Sequence, residues 1–219
     1  MPVRTVHDLE PLTRERAEEF IAETALVPSG PTPPMRGTVG LEIESHLVDF
    51  AAPAERAGWD RITSLAPQIE SAAGRSSLTF EPGGQIELSG APMPGIVTAV
   101  EAMRSDVQRV RIMLAGHDAG LALVGSDPVR EPVRVNPRPR YAAMERHFDA
   151  LGRADAGRTM MCSTAALQVN LDAGPATGWA DRVALARQLG PTLTALSACS
   201  PWLAGRTGGH ASTRELAWG

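Results

Sequence analysis

The chain contains no lysine, so all 21 of its basic residues are arginine. That absence excludes Schiff-base chemistry and the phosphate-binding lysine of a Walker A loop within these residues. Cysteine is scarce as well. Cys162 and Cys199 are too few for a disulfide framework, and no Cys/His spacing suits zinc. No apolar run approaches the roughly twenty residues of a membrane span. No apolar stretch follows a basic start in the manner of a secretory signal, so a cytoplasmic location is the expectation. Positive charge is not in excess: 21 basic against 25 acidic residues leave a net charge of -4, which argues against a nucleic-acid binder that works by neutralising phosphates. What is present is ordinary for a folded domain, with 219 residues of which 43% are hydrophobic. Arginine without lysine, together with abundant alanine, points to a GC-rich bacterial genome.

The most informative stretch runs from Leu78 to Gly90. Two short strand-like runs flank the corner Pro82-Gly83-Gly84, with Glu81, Gln85 and Glu87 close around it. After the corner, Ile86 and Leu88 alternate with Gln85, Glu87 and Ser89, which gives one apolar and one polar strand face. The two glycines permit positive φ, and the proline fixes the entry. So tight a corner can aim both carboxylates into one small volume. Clustered carboxylates repel, and they persist best around a cation. A plain hairpin with a wet face satisfies the same letters.

An earlier stretch, residues 38–49, repeats the pattern. Val39, Leu41, Ile43 and Leu47 fall on one strand face, and Glu42, Glu44 and His46 on the other. Alternating Glu is unfavourable in a strand by propensity, and a metal-facing row would explain it. Helices are expected over 8–25, over 55–72 with a kink or break at Pro67, and over 95–119. The third carries an apolar stripe of Ile96, Val97, Val100, Met103, Val107, Val110, Met113 and Leu114. A Pro-rich loop is expected over 28–34, and a short buried strand over 121–124. The run 127–140 reads as a loop with solvated arginines, and Pro139 opens a helix to about Leu151. Residues 160–172 read as one long strand, with Met161, Leu167, Val169 and Leu171 on one face and Thr164, Gln168, Asn170 and Asp172 on the other. A helix follows over 176–199, broken near Gly190-Pro191, and then a loop from Ser200 to His210. These elements suggest an α+β domain whose mainly antiparallel sheet has helices on one face and an open, carboxylate-rich polar face on the other.

The polar faces add up to one constellation. Glu42, Glu44, Glu81 and Glu87 supply hard oxygen ligands, which suit Mg²⁺ or Mn²⁺ and not Zn²⁺. Gln85, Gln168 and Asn170 supply neutral hydrogen-bonding groups. Arg140 and Arg214 supply planar forks for carboxylate or phosphate. Carboxylates on a sheet that hold metal against phosphates allow phosphoryl transfer without a P-loop.

These residues carry a family resemblance. Gly40-Leu-Glu42-Ile-Glu44, Glu81-Pro-Gly-Gly-Gln85-Ile-Glu87, Pro139-Arg-Tyr141, Met160-Met161 with Gln168-Val-Asn170-Leu-Asp172, and Ser200-Pro-Trp202 followed by Arg214 and Trp218 resemble the plant-type and actinobacterial glutamate–cysteine ligases. The match is ordered and spans residues 38–218. The resemblance implies a glutamine-synthetase-like fold and ATP-dependent joining of the L-glutamate γ-carboxylate to the L-cysteine amine through γ-glutamyl phosphate. It implies that Glu42, Glu44, Glu81 and Glu87 hold Mg²⁺ (or Mn²⁺) between ATP and glutamate. Arg140 and Arg214 would act on substrate carboxylate or the transferring phosphoryl group. Gln85, Tyr141, Gln168, Asn170 and Trp202 would line the substrate site. The actinobacterial branch is associated with ergothioneine synthesis. Another amine acceptor, or a non-catalytic metal-binding module, remains open on the residues alone. Members of the family are much longer, so the 219 residues are expected to be a single catalytic domain forming the N-terminal portion of a ligase. Alone, they are expected to bind Mg²⁺ and glutamate weakly without turning over ATP. Calorimetry with each ligand checks the first part, and steady γ-glutamylcysteine formation by the 219 residues would overturn the second.

Overall fold

The computed structural model describes residues 12–24, 37–175 and 177–218. The expected loop over 28–34, the expected helix ends at 8–11 and at 25, and the side chain of Trp218 lie outside the described residues. The chain divides into two compact units, the first drawn from 1–35 and 173–189, the second from 36–172 and 190–219. In the first, α1 (Arg14–Thr24) is an exposed helix with an Arg14–Glu18 ion pair one turn apart.

The second unit is built on one long strand, β1 (Val39–Asp49). Its Leu41 and Leu47 are buried, while Glu42 and Glu44 are half-buried on the opposite parity. Next come α2 (Trp59–Ala72), β2 (Ser77–Phe80), β3 (Ile86–Ser89), α3 (Ile96–Ala115) and β4 (Ala119–Ala122). After these follow α4 (Pro139–Ala150), α5 (Ala154–Ser163), β5 (Leu167–Leu171), α6 (Trp179–Ser197, which begins in the first unit), β6 (Trp202–Leu203), β7 (Arg206–Thr207) and α7 (Thr213–Trp218). Strands β2, β3, β1 and β4 lie side by side, and β5 also pairs with β1, so the sheet has five strands. Every pairing between these strands is antiparallel. Strands β6 and β7 form a separate small hairpin. Among the described residues the fold is α+β, as expected.

Helical spacing puts Ile62, Leu65 and Ile69 of α2 and Ala99, Met103, Val107, Val110 and Leu114 of α3 on buried stripes. These pack with Leu41, Leu47, Phe80, Ile86 and Leu88 of the sheet into the main core. A second small core joins Tyr141 of α4 to Met161 and Cys162 of α5. Among the described residues no helix is long and apolar enough to cross a membrane.

Several expectations need correction. Residues 160–163 belong to α5, and the strand is confined to Leu167–Leu171. Met161 and Cys162 are buried against Tyr141, and that packing outweighs the two-residue periodicity that Met161 shares with Leu167. Leu167, Val169 and Leu171 are exposed, although they continue the face of Val39 and Leu41. The strand expected at 121–124 is shifted to Ala119–Ala122, because it pairs with His46–Asp49. The stripe of α3 is rotated: Ile96, Val97 and Val100 are exposed, and Asp106 is on the buried side, accepting a 2.6 Å hydrogen bond from Ser76 Oγ. Pro67 and Pro191 lie inside α2 and α6, which run past them. In α2 the burial of Ile62, Leu65 and Ile69 offsets the one helical hydrogen bond that proline removes. The loop from Ser200 to His210 contains the β6–β7 hairpin. Arg130, expected in solvent, is buried beside Asp127.

Ile69 is fully buried in the main core. Ile69→Ala is expected to cost about 2–5 kcal/mol, the usual range for deleting a core aliphatic side chain. Urea unfolding, followed by the midpoint at unchanged slope, measures it.

Candidate functional site

Strand register assembles the site. Glu44 of β1 stands directly opposite Glu87 of β3, and Glu87 in turn stands opposite Thr79 of β2. Two residues away on the same face, Glu42 is opposite Ser89 on β3 and Gln168 on β5. Opposed side chains on adjacent strands begin about 4.5–5.5 Å apart at Cβ. Glu81 enters from the corner, where its N–H donates to the Gln85 carbonyl at 2.9 Å and the Gly84 N–H donates to the Glu81 carbonyl at 2.9 Å.

The two glycines of this corner are required for different reasons. A Cβ on Gly83 would stand 2.2 Å from the Cys162 carbonyl oxygen. Gly84 has φ 81°, in the left-handed region.

Each acid has polar partners. Glu44 accepts from the Ala166 N–H at 2.8 Å and from Gln168 Nε2 at 3.3 Å. Glu42 accepts from Asn170 Nδ2 at 3.1 Å. Glu87 accepts from the Thr79 hydroxyl. Burial pushes the Glu44 carboxyl up to about 7, and the charges of Glu81 and Glu87 add to the rise. The Ala166 N–H and the Arg214 guanidinium oppose it. Glu81 is also raised, by burial and by Glu87, against the pull of Arg140. Glu44 and Glu81 therefore both feel the charge of Glu87, and Glu44 that of Glu81 as well, with Arg214 acting on Glu44 and Arg140 on Glu81.

Beside Glu44 opens a cleft of about 680 Å³, whose lining includes Gln168, Arg214, Glu215, Ser200, Ser212 and Thr194. Its apolar wall includes Ile43, Leu123, Val124 and Leu193. The remaining residues of the expected site sit elsewhere. Gln85 is fully buried, with Nε2 donating to the carbonyls of Met161 and Thr164 at 3.2 and 2.8 Å. Tyr141 is buried, and its hydroxyl donates to the Phe80 carbonyl at 3.0 Å. Arg140 is exposed, 5.8 Å from the centre of the Tyr141 ring. Trp202 is half exposed on the β6–β7 hairpin, and its carbonyl accepts from Ser126 Oγ. His46 is 1% exposed, and burial lowers it to about 4. Cys162 is buried, and burial raises its thiol to about 11.

Two contributors were not identified from sequence. Thr79 was legible in principle, being two residues before Glu81 in an alternating strand. The Ala166 N–H was not, since its role depends on where α5 hands over to β5.

The donor set fits a hard cation in chemistry: grouped carboxylates, of which those of Glu44 and Glu81 are raised and Glu44 lines the cleft. Among the described residues, no three His, Cys, Asp or Glu side chains close into a ready cage. Mg²⁺ characteristically takes one or two carboxylates and completes its shell with water and substrate phosphate. The arrangement suits such shared coordination better than a protein-only site.

Fold and site thus define an α+β chain whose antiparallel sheet groups several acids on neighbouring strands, with Glu44 and Arg214 lining a cleft. The model of glutamate–cysteine ligase family 2 matches residues 38–219, and the chain belongs to that family. It is 48% identical over 212 residues to the glutamate–cysteine ligase EgtA of Mycobacterium tuberculosis, covering 97% of this chain and 48% of that protein. It is 49% identical over 183 residues to EgtA of Mycolicibacterium smegmatis, covering 84% and 43%. The chloroplastic glutamate–cysteine ligase of Medicago truncatula is 31% identical over 167 residues, 75% of this chain and 32% of that one. The chain spans about half the length of the EgtA relatives it matches.

The raised carboxyl of Glu44 yields a stability prediction. Its folded value of about 7 exceeds the ordinary 4.5. Its contribution is therefore fully present below about pH 4.5 and is lost as pH rises through 7. His46 works oppositely: its depressed value favours the folded state above about 6.5 and is lost toward 4. Comparing Glu44→Gln with the parent cancels the histidine. The variant's advantage is expected to grow between pH 4.5 and 7.5 to about 1 kcal/mol, allowing for solvent screening of a half-exposed group. That is about 2–4 °C in Tm for a chain of this size. Thermal melts in chelator at stepped pH measure it.

Proposed function

We propose that this chain supplies the acidic catalytic face of an ATP-dependent glutamate–cysteine ligase with a glutamine-synthetase-like fold. The observation that carries the reading is the meeting of Glu44, Glu81 and Glu87, from β1 and both sides of the corner, where burial and the neighbouring acids raise the carboxyls of Glu44 and Glu81, and Glu44 lines a cleft that Arg214 also lines. Family membership supplies the reaction: the relatives' names specify glutamate and cysteine.

The chemistry asks for such a face. The glutamate γ-carboxylate must approach the γ-phosphate of ATP, and two anions repel. Mg²⁺ (or Mn²⁺), held by Glu44, Glu81 and Glu87 with Glu42 beside them, would neutralise phosphate charge when bound. Arg214, whose charge acts on Glu44, and Arg140, whose charge acts on Glu81, would grip substrate carboxylate or the transferring phosphoryl group. Attack of the carboxylate oxygen on phosphorus releases ADP and leaves γ-glutamyl phosphate. The cysteine amine then attacks that acyl carbon, phosphate departs, and the amine proton passes to solvent or phosphate. Gln168 and Asn170 hold Glu44 and Glu42 in place. Gln85 and Tyr141 act from beneath, fixing the corner instead of touching substrate, and Trp202 borders the site from the hairpin. The product serves ergothioneine or another small-thiol synthesis, in the cytoplasm where ATP is supplied.

Glu81→Gln and Glu87→Gln in the intact enzyme are each expected to lower γ-glutamylcysteine formation by about 10²–10³-fold, on the scale of losing one electrostatic group at a reacting centre. Unchanged rates would make the acidic row a surface feature. Competition of cysteine with other amino acids as acceptor tests the amine specificity.

A further inference from the structure

Behind the Pro-Gly-Gly corner lies a buried ion cluster that the proposed reaction does not use. We propose that Arg56, locked in place by Asp127 and Arg130, is a positioning residue whose guanidinium fixes the corner, and so sets where Glu81 and Glu87 stand relative to Glu44. The inference rests on the ligase reading only for its activity readout.

Arg56 lies between β1 and α2, and its side chain joins three distant segments: the corner, the loop from Asp127 to Glu131 and the end of α5. Nη1 donates to the Gly83 carbonyl at 3.1 Å. Nη2 lies within 3.0 Å of the Glu131 carbonyl, 3.2 Å of Ser163 Oγ and 3.4 Å of Asp127 Oδ2. Asp127 is itself held from every side. Its Oδ1 accepts from the N–H groups of Val129 and Arg130, and its Oδ2 accepts from Arg130 Nε at 2.7 Å. Its own N–H donates to the Ser163 carbonyl at 2.8 Å. Arg130 Nη1 then reaches the Leu47 carbonyl of β1 at 2.7 Å.

The cluster therefore connects β1, the corner and the end of α5, the three places from which the site is assembled. Ser163 is three residues before Ala166, whose N–H holds Glu44. Gly83 lies midway between Glu81 and Gln85. The corner has no other freedom: the Phe80 carbonyl accepts from both Asn136 Nδ2 and Tyr141 Oη, and Gln85 is anchored to Met161 and Thr164.

Stability alone does not account for these charges. Buried ion clusters contribute little net stability, because desolvation offsets attraction, and apolar replacements of similar volume are often as stable. What a guanidinium provides and an apolar residue cannot is several fixed donor directions at once. Groups that orient metal-binding side chains characteristically affect metal affinity 10–100-fold when changed.

The test uses the intact protein with three changes: Arg56→Lys, which keeps the charge but loses the fork; Asp127→Asn, which keeps the shape but loses the counter-charge; and a core control, Ile69→Val or Ile69→Ala, chosen to match the Tm loss. Mn²⁺ binding is read by electron paramagnetic resonance without nucleotide, and initial rates are read separately. Arg56→Lys is expected to weaken Mn²⁺ binding by about 10-fold or more, and to lower kcat with KM for glutamate moved far less, while the matched control keeps its Mn²⁺ affinity within about twofold. Asp127→Asn is expected to follow Arg56→Lys, and it decides the matter alone if the lysine variant does not fold. Mn²⁺ affinities equal to the control's, or no Mn²⁺ binding by the parent protein, overturn the proposal. A parent that binds Mn²⁺, loses it on Arg56→Lys and yet forms no γ-glutamylcysteine upholds the positioning role and removes the ligase reading instead.

Discussion

Glu44 and Glu87 face one another across adjacent antiparallel strands, and the rest of the site follows from that pairing. Like charges in such a pair cost about 0.2–1 kcal/mol. A slip of one residue would separate them, but it would turn every side chain of the strand to the wrong face. Leu41 of β1, and Ile86 and Leu88 of β3, would leave the core, and each such side chain is worth about 1.5–3 kcal/mol when fully buried. The core therefore sets the register, and the acids are brought together as a consequence. Burial on one face holds a repulsive arrangement on the other.

The third acid needs a different device, because Glu81 lies outside the regular strands. Its place is set by buried side chains that donate to backbone carbonyls around it, from Asn136, Tyr141, Arg56 and Gln85. Around the corner these side chains reach backbone carbonyls instead of one another. A corner closed this way keeps its shape whatever the charge of the carboxylates beside it. The close passage of the Cys162 carbonyl under Gly83 explains why no side chain is tolerated there.

Much of this was legible from residue order. Parity put Glu42 and Glu44 on one face of β1 and Glu87 on the polar face of β3, because alternation survives wherever one strand face is buried, while the register that joins them came from the fold. The α2 and α3 helices were legible from apolar spacing. Residues 160–172 misled because Met161 and Leu167 share parity, and only packing against Tyr141 reveals a helix ending at Ser163. The tilt of the α3 stripe depended on which neighbours cover it. The ion cluster was the least legible feature. Arg130 lies in a Pro- and Arg-rich run that reads as solvated, and Arg56 meets Asp127 across 71 positions. Tertiary contact, not local pattern, makes that run a buried anchor.

His46 and Glu44, two residues apart on β1, illustrate how the body treats charge. Burial shifts them in opposite directions, His46 down to about 4 and Glu44 up to about 7, because in each case it disfavours the ionised form. Asp127 responds otherwise. Burial pushes its carboxyl up as well, yet the N–H and guanidinium of Arg130 hold it below the ordinary range. With Arg56 and Arg130 cationic and Asp127 anionic, that cluster is one charge positive behind the acidic row. Charge is thus kept inside this unit where a counter-charge is fixed by geometry. At Glu44 the pull of Arg214 and the Ala166 N–H is outweighed by burial and by the neighbouring acids, so a cation entering the cleft that Glu44 lines would add the missing compensation.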